Sequence, residues 1–222
     1  AYNEERQLAA SARKLLAWCE THPEHEWRVV VADNGSTDGT LAIAHALQDE
    51  YPRRLVALHV PVAGRGLALR TAWLTSPAEV CAYMDVDLAT ELDALPALVD
   101  PLVAREADLA VGSRLHPEAQ RQRGLRRELL SKGFVFLLRR ALGLRLFDAQ
   151  CGFKAIRREA ARELIPLVRD NHWFFDAELL ILAQNNEYQV REVPVRWTDD
   201  PRSSVRIVST VLQDVRGVWR LR

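Results

Sequence analysis

Short apolar runs alternate with amphipathic stretches through the first half of the chain, and this alternation limits the fold more than any other feature. Leu8, Ala12, Leu15, Leu16 and Cys19 recur at helical spacing and predict a helix over roughly 4–20. Trp27–Asp33 reads as a buried strand. Asn34-Gly35-Ser36-Thr37-Asp38-Gly39 then supplies turn chemistry and N-cap candidates ahead of a helix reaching about Glu50. The same grammar repeats with a strand over 54–60, a helix opened by Gly64-Arg65-Gly66, a strand over 79–85, a helix over 93–106 and a strand over 108–113. Strands alternating with helices predict an α/β class, with a mainly parallel sheet covered on both faces.

Beyond Arg114 the pattern loosens. Helices are expected over 125–142, up to about Val168, and over 174–185, followed by an alternating strand over 188–197 and a closing helix over 203–221. No Pro-, Gly- or Ser-rich linker separates the parts, and 222 residues suit one α/β domain spanning 1–222.

Thirty Lys and Arg balance thirty Asp and Glu, so no global field favours nucleic acid. The charge is segregated, however: seven acids and one base lie between Asp85 and Asp108, against eight bases and one acid between Arg121 and Arg145. Such neighbouring blocks suit a site that holds a cation and several phosphates. Cys19, Cys81 and Cys151 are odd in number and far apart, which points to a reducing compartment rather than a disulfide framework. The six histidines show no ligand spacing and are expected to be surface or structural. No apolar run approaches the ~18 residues of a membrane span, and no signal peptide is visible.

Ligands of open α/β sheets collect beyond the carboxyl ends of the strands. Asp33, Asp85 and Asp87 all fall at such ends. In an extended run, residues two apart project to one side, so Asp85-Val86-Asp87 would present two carboxylates to one cavity. Hard oxygen donors of this kind suit Mg²⁺ or Mn²⁺, which keep positions open for substrate phosphates. The competing reading is two solvated loop acids.

Further motifs decide between these. Ala1-Tyr2-Asn3-Glu4-Glu5, Val31-Ala32-Asp33-Asn34-Gly35-Ser36-Thr37-Asp38-Gly39-Thr40, Gly64-Arg65-Gly66 and Asp85-Val86-Asp87 together resemble family 2 glycosyltransferases. Gly112-Ser113-Arg114, Asp148-Ala149-Gln150-Cys151-Gly152-Phe153-Lys154 and Phe174-Phe175-Asp176-Ala177-Glu178 resemble the branch that makes dolichyl- or polyprenyl-phosphate sugars, the dolichyl-phosphate glucosyltransferase type above all. The resemblance runs through the whole chain in order. It implies a GT-A fold, with a nucleotide-sugar half over 1–114 and an acceptor half over 115–222. It also implies a first strand ahead of Ala-Tyr-Asn, which this chain lacks.

By the same resemblance, Tyr2, Glu4 and Asp33 line the nucleobase and ribose pocket, with Arg65 among the donor contacts. Asp85 lies near ribose and metal, and Asp87 is the principal metal ligand. Ala89 stands where mannosyl relatives carry Gln. Arg114 is expected on the leaving phosphate, and Asp176, with Glu178, in sugar contact or loop positioning rather than as a base. Arg127 and Ser131, four apart on a predicted helix, share a face and match an Arg–Ser pair on the acceptor phosphate; a solvated basic face is the alternative. The 201–206 segment resembles a loop closing over the donor, with Arg202 or Arg206 supplying charge beside Ser204. Gly133-Phe134-Val135-Phe136-Leu137-Leu138-Arg139-Arg140 is expected to bury its stripe in the core, with membrane contact at its edge.

The expected activity is inverting transfer of a hexose, glucose favoured, from a nucleotide sugar to a polyprenyl phosphate. UDP-glucose is the favoured donor and GDP-mannose the next. Expected surroundings are the cytoplasmic face of a membrane, with room for a separate anchoring subunit. Three rivals remain open: transfer to a saccharide hydroxyl, a non-catalytic nucleotide-binding module, and a nucleotidyltransferase. The last requires an early Gly-rich triphosphate loop, whereas Gly64-Arg65-Gly66 comes late.

Overall fold

A computed structural model describes residues 1–122, 125–198 and 216–221, with backbone alone for 121, 122 and 125–130. The elements run α1 (Leu8–Glu20), β1 (Val29–Asn34), α2 (Thr40–Glu50), β2 (Leu55–Val60), α3 (Arg65–Thr75), β3 (Val80–Met84), α4 (Leu95–Val103) and β4 (Leu109–Ser113). They continue with β5 (Gln120–Gln122), α5 (Leu125–Leu142), β6 (Phe153–Arg157), α6 (Arg158–Leu164), α7 (Phe175–Asn185), β7 (Val190–Pro194) and β8 (Arg196–Thr198). The expected 201–206 loop, and most of the closing helix, lie outside the described residues; 216–221 is helical.

Parallel pairing joins β1 to β2, β4 to β7 and β5 to β8. Strand β6 is the exception: it lies between β3 and β4 and runs antiparallel to both. The reversal has a local cause. The chain returns at the rim where β4 ends, because Asp148 is forked onto Arg114 there. It then enters β6 from that end, with Phe153 opposite Met84. Residues 148–152 therefore share a rim with the segment leaving β3. The expected single strand over 188–197 is broken into β7 and β8, with Val195 between them and buried.

Two hydrophobic cores flank a cleft. The smaller is built from Leu8, Ala12 and Leu16 of α1, Ala44 and Leu47 of α2, Val31 and Leu55. The larger surrounds β3, β4, β6 and α7. All five residues of β4 are buried, which explains its unbroken Leu-Ala-Val-Gly-Ser run. Helix α7 is buried around nearly its whole circumference, Asp176 and Glu178 included. On α5, Val135 and Leu138 are buried, as expected of the stripe, while Phe136 and Leu137 stay exposed.

Between the cores, Ala1 donates its amine to the Ala32 carbonyl at 2.7 Å and accepts from the Asn34 amide at 2.8 Å. This places Ala1 opposite Asp33 in parallel register. Asn3 and Glu5 tie the following loop to the β1–α2 turn, accepting from the amides of Thr37 and Gly39 at 2.8 and 2.9 Å. The two N-terminal motifs thus hold one another.

Candidate active site

The acidic motif sits on a turn rather than in an extended run. Strand β3 ends at Met84, and the Leu88 amide donates to the Asp85 carbonyl at 3.1 Å. Leu88 adopts φ 49°, a left-handed conformation uncommon for a branched side chain, of the kind that gathers at functional sites. Both acids are exposed, and Asp87 Oδ1 accepts the Ala89 amide at 3.0 Å. A turn, not strand alternation, thus carries the two carboxylates.

They open into a cleft of about 2260 Å³ that Tyr2, Glu4, Arg65, Asp85, Asp87, Arg114, Ser131 and Asp176 also line. A typical small-molecule pocket is roughly 300–1,000 Å³; this one is larger because it continues between β1 and β3. Among the described residues, Asp33 is one of the sequence-predicted residues that do not line it. Its side chain is fully buried, with His59 Nδ1 at 2.8 Å from Oδ2. The side chain of Arg127 lies outside the described residues, and Ser131 is half-buried at the cleft wall.

Behind Asp85 lies a buried ionic cluster. Arg65 donates to Asp85 Oδ1 at 3.1 Å and to Asp176 Oδ2 at 2.5 Å. Its guanidinium also lies 5.0 Å from the Trp173 ring and 5.3 Å from that of Tyr83, within cation–π range. Asp176 Oδ1 accepts the Tyr83 hydroxyl at 2.6 Å and faces Lys154 Nζ at 3.1 Å. Lys154 in turn donates to the Cys151 carbonyl at 2.6 Å. Two cations thus meet two carboxylates, and Asp85, its side chain 53% exposed, is the most exposed of the four.

Burial alone would lower the Arg65 pKa, but Tyr83, Asp176 and Asp85 outweigh it and raise the group well above its ordinary value. Burial would likewise raise Asp176, yet Lys154, Arg65 and the Tyr83 hydroxyl hold it below the usual carboxylate range. Burial, with Asp176 and Asp85 adding to it against Arg65, lifts Tyr83 well above its ordinary value. Asp176, so placed, stays ionised and fully engaged.

Two glycines make the cluster possible. A Cβ on Gly66 would stand 2.6 Å from Phe175 Cβ, so its absence lets α3 press onto α7 and bring Arg65 to Asp176. A Cβ on Gly152 would stand 1.9 Å from Asp85 Oδ2, so the carboxylate rests directly on the backbone entering β6.

Arg114 is placed differently from a free phosphate donor. Nε and one terminal nitrogen fork onto Asp148 at 2.7 and 3.0 Å, and the guanidinium lies 5.5 Å from the Trp197 ring. Both partners are buried. Desolvation opposes both charges, but Asp148 raises Arg114 and Arg114 depresses Asp148. Cys151, buried beside them, is pushed up to about 12 by desolvation, which leaves it a protonated packing residue.

Tyr83, Asp148, Gly152 and Lys154 were not singled out individually by sequence reasoning. A signal existed for Lys154. A lysine inside the apolar Phe153-Lys154-Ala155-Ile156 strand demands a buried counter-charge, and the acids of Phe175-Asp176-Ala177-Glu178-Leu179 are the complementary anomaly.

Among the described residues no group of three or more His, Cys, Asp or Glu gathers as a metal cage. Two exposed carboxylates on one turn still fit Mg²⁺ or Mn²⁺, which proteins commonly hold by one or two carboxylates plus substrate phosphates. The guanidinium against Asp85 shows that the position already accepts a cation.

An α/β sheet with an acidic turn at a strand end, opening on a cleft between two cores, is the architecture of a GT-A glycosyltransferase. It is similar to the UDP complex of glucosyl-3-phosphoglycerate synthase from Mycobacterium tuberculosis, with a TM-score of 0.67, 22% identity, and coverage of 100% of this chain and 77% of that one. The chain belongs to glycosyl transferase family 2, which it matches over residues 1–165. It is 36% identical to glycosyltransferase AglD of Haloferax volcanii, over 100% of this chain and 36% of that protein. It is 33% identical to dolichyl-phosphate beta-glucosyltransferase ALG5C of Trichomonas vaginalis, over 93% of this chain and 64% of that protein. Against the human dolichyl-phosphate beta-glucosyltransferase the values are 32%, 99% and 75%. The chain thus spans about a third of the archaeal relative and under two thirds of the Trichomonas vaginalis protein.

Proposed function

We propose that this chain is an inverting glucosyltransferase that moves glucose from UDP-glucose to a polyprenyl or dolichyl phosphate. The observation that carries the reading is the Asp85–Asp87 turn, held against the half-buried Arg65 in a cleft at the sheet's rim. The relatives' names supply the acceptor class, and the M. tuberculosis synthase, crystallised with Mn²⁺ and UDP-glucose, supplies the donor class. Residues 1–222 would act as one domain, the donor on 1–114 and the acceptor on 115–222.

Asp85 and Asp87 would hold Mg²⁺ or Mn²⁺, which when bound supplies positive charge to the donor diphosphate. Tyr2 and Glu4, at the cleft wall, would take the nucleoside, and Arg65 would meet the diphosphate from behind Asp85. Asp33, being buried, would act on that pocket by holding the strand end in place. Arg114 would shape the rim with Asp148 and lend part of its charge to the leaving phosphate. Arg127 and Ser131 on α5 would align the acceptor phosphate. Its second pKa is near ~6, so at neutral pH it is mainly dianionic and needs no general base. One of its oxygens bonds to the anomeric carbon as the bond to the diphosphate breaks, with inversion. Asp176, ion-paired and buried, fits positioning and not proton abstraction.

Exposed Phe136 and Leu137 beside Arg140 on α5 would rest on the cytoplasmic face of a membrane, with or without an anchoring subunit. Among the described residues no helix is long and apolar enough to cross a membrane. The test is a donor screen: purified protein with radiolabelled UDP-glucose, GDP-mannose or UDP-GlcNAc and a polyprenyl phosphate, reading lipid-extractable label. Label from UDP-glucose that vanishes with EDTA and in Asp87→Ala supports the reading. Preferential label from GDP-mannose, transfer only to a saccharide, or near wild-type turnover in EDTA would overturn it.

A further inference from the structure

The Gln150-Cys151-Gly152-Phe153-Lys154 motif is not accounted for by donor or acceptor contacts, yet Gly152 lies against Asp85 and Lys154 pairs with the Asp176 that Arg65 also holds. Gly152 supports one oxygen of Asp85, and Arg65 binds the other at 3.1 Å. Arg65 is shared with Asp176, and Asp176 is shared with Lys154 and Tyr83. Asp85 is therefore not an open ligand. It carries a counter-ion of its own, and a divalent ion must compete with that guanidinium for the same carboxylate.

The geometry shows why Arg65 can give way. If Arg65 leaves, Asp176 keeps the Lys154 ammonium at 3.1 Å and the Tyr83 hydroxyl at 2.6 Å, so no buried carboxylate is stranded. Asp85, half in solvent, tolerates the loss as well. Without Lys154, Arg65 would be the sole cation for a buried carboxylate and an exposed one, and the buried one would claim it.

We propose that Arg65 is an internal counter-ion of Asp85 that the divalent ion displaces, and that Lys154 is a positioning residue which, through Asp176, sets how firmly Arg65 holds Asp85. The inference rests on the metal-binding reading above. It makes metal binding and diphosphate binding interdependent, because a displaced guanidinium finds its new partner in the diphosphate.

The measurement is Mn²⁺ binding without nucleotide, by electron paramagnetic resonance of free Mn²⁺ in titrations of the purified protein. Arg65→Met should bind Mn²⁺ roughly fivefold tighter than wild type, the scale expected on removing one partly exposed ion pair. Lys154→Met should also tighten it, because Arg65 is drawn to Asp176 and leaves Asp85 open. With UDP added the order should reverse for Arg65→Met, since its diphosphate partner is gone. A merely structural role would weaken Mn²⁺ in both variants, and that result overturns the proposal. Thermal melts identify a Lys154→Met protein that fails to fold, in which case Lys154→Gln takes its place. Wild-type protein that binds no Mn²⁺ overturns the metal reading itself; wild-type binding with no change in Arg65→Met overturns the counter-ion alone.

Discussion

Replacing Asp176 by Asn removes one charge from a cluster in which two cations face two carboxylates. The shape is preserved, so the effect is electrostatic. Lys154, its side chain 2% exposed, loses its carboxylate partner, and Arg65 keeps only Asp85. Breaking one partner of a buried ion pair costs about 3–5 kcal/mol. For a chain of this size, roughly 2–4 °C of Tm per kcal/mol gives a fall of about 6–20 °C. Asp176 is held below its unfolded pKa. Its stabilisation is therefore present above the unfolded value of about 3.9 and fades as pH falls through the folded value. Urea unfolding across pH 3–7, with limits chosen around that roughly 3.9 midpoint, should show a large wild-type loss of stability on the acid side and a smaller slope in Asp176→Asn. Transfer by the variant, assayed at a temperature where it is folded, should keep the wild-type shape of its pH–rate profile. An unchanged Tm together with loss of one limb of that profile would refute the reasoning, for it would make Asp176 a general base.

Gly152→Ala places a methyl where Asp85 Oδ2 now rests, at 1.9 Å, so the carboxylate must rotate away. Calorimetry should show Mn²⁺ and UDP binding weakened at least about tenfold (~1.4 kcal/mol), with Tm changing far less; unaltered binding would count against the seat. Arg114→Lys keeps the charge but loses the two-point fork on Asp148 and the stacking on Trp197. Its urea midpoint should drop by an amount worth about 1–3 kcal/mol, and a drop absent from that series would mean the fork adds nothing to stability.

The α/β alternation was legible because apolar periodicity is a local property: β1, β2, β3 and β4 and the helices between them fall within a few residues of their expected places. The rim position of the acids was legible for the same reason. The turn at 85–88 was not, since Asp-Val-Asp-Leu carries no glycine or proline to announce it. Nor was the reversal of β6, whose direction follows from where Asp148 docks.

By itself, the sequence determined the class of sheet, the strand-end placement of Asp33, Asp85 and Asp87, and an ordered set of motifs shared with family 2 glycosyltransferases. Tertiary structure alone decided which of those acids meets the cleft: Asp33 is buried beside Ala1 and His59, whereas Asp85 and Asp87 are exposed at the cleft. It alone paired Arg65 with Asp176, 111 residues apart, and Arg114 with Asp148. Local patterning records which residues seek burial. Which buried charge finds which partner depends on register and on close approaches at Gly66 and Gly152, and these exist only once the layers have packed.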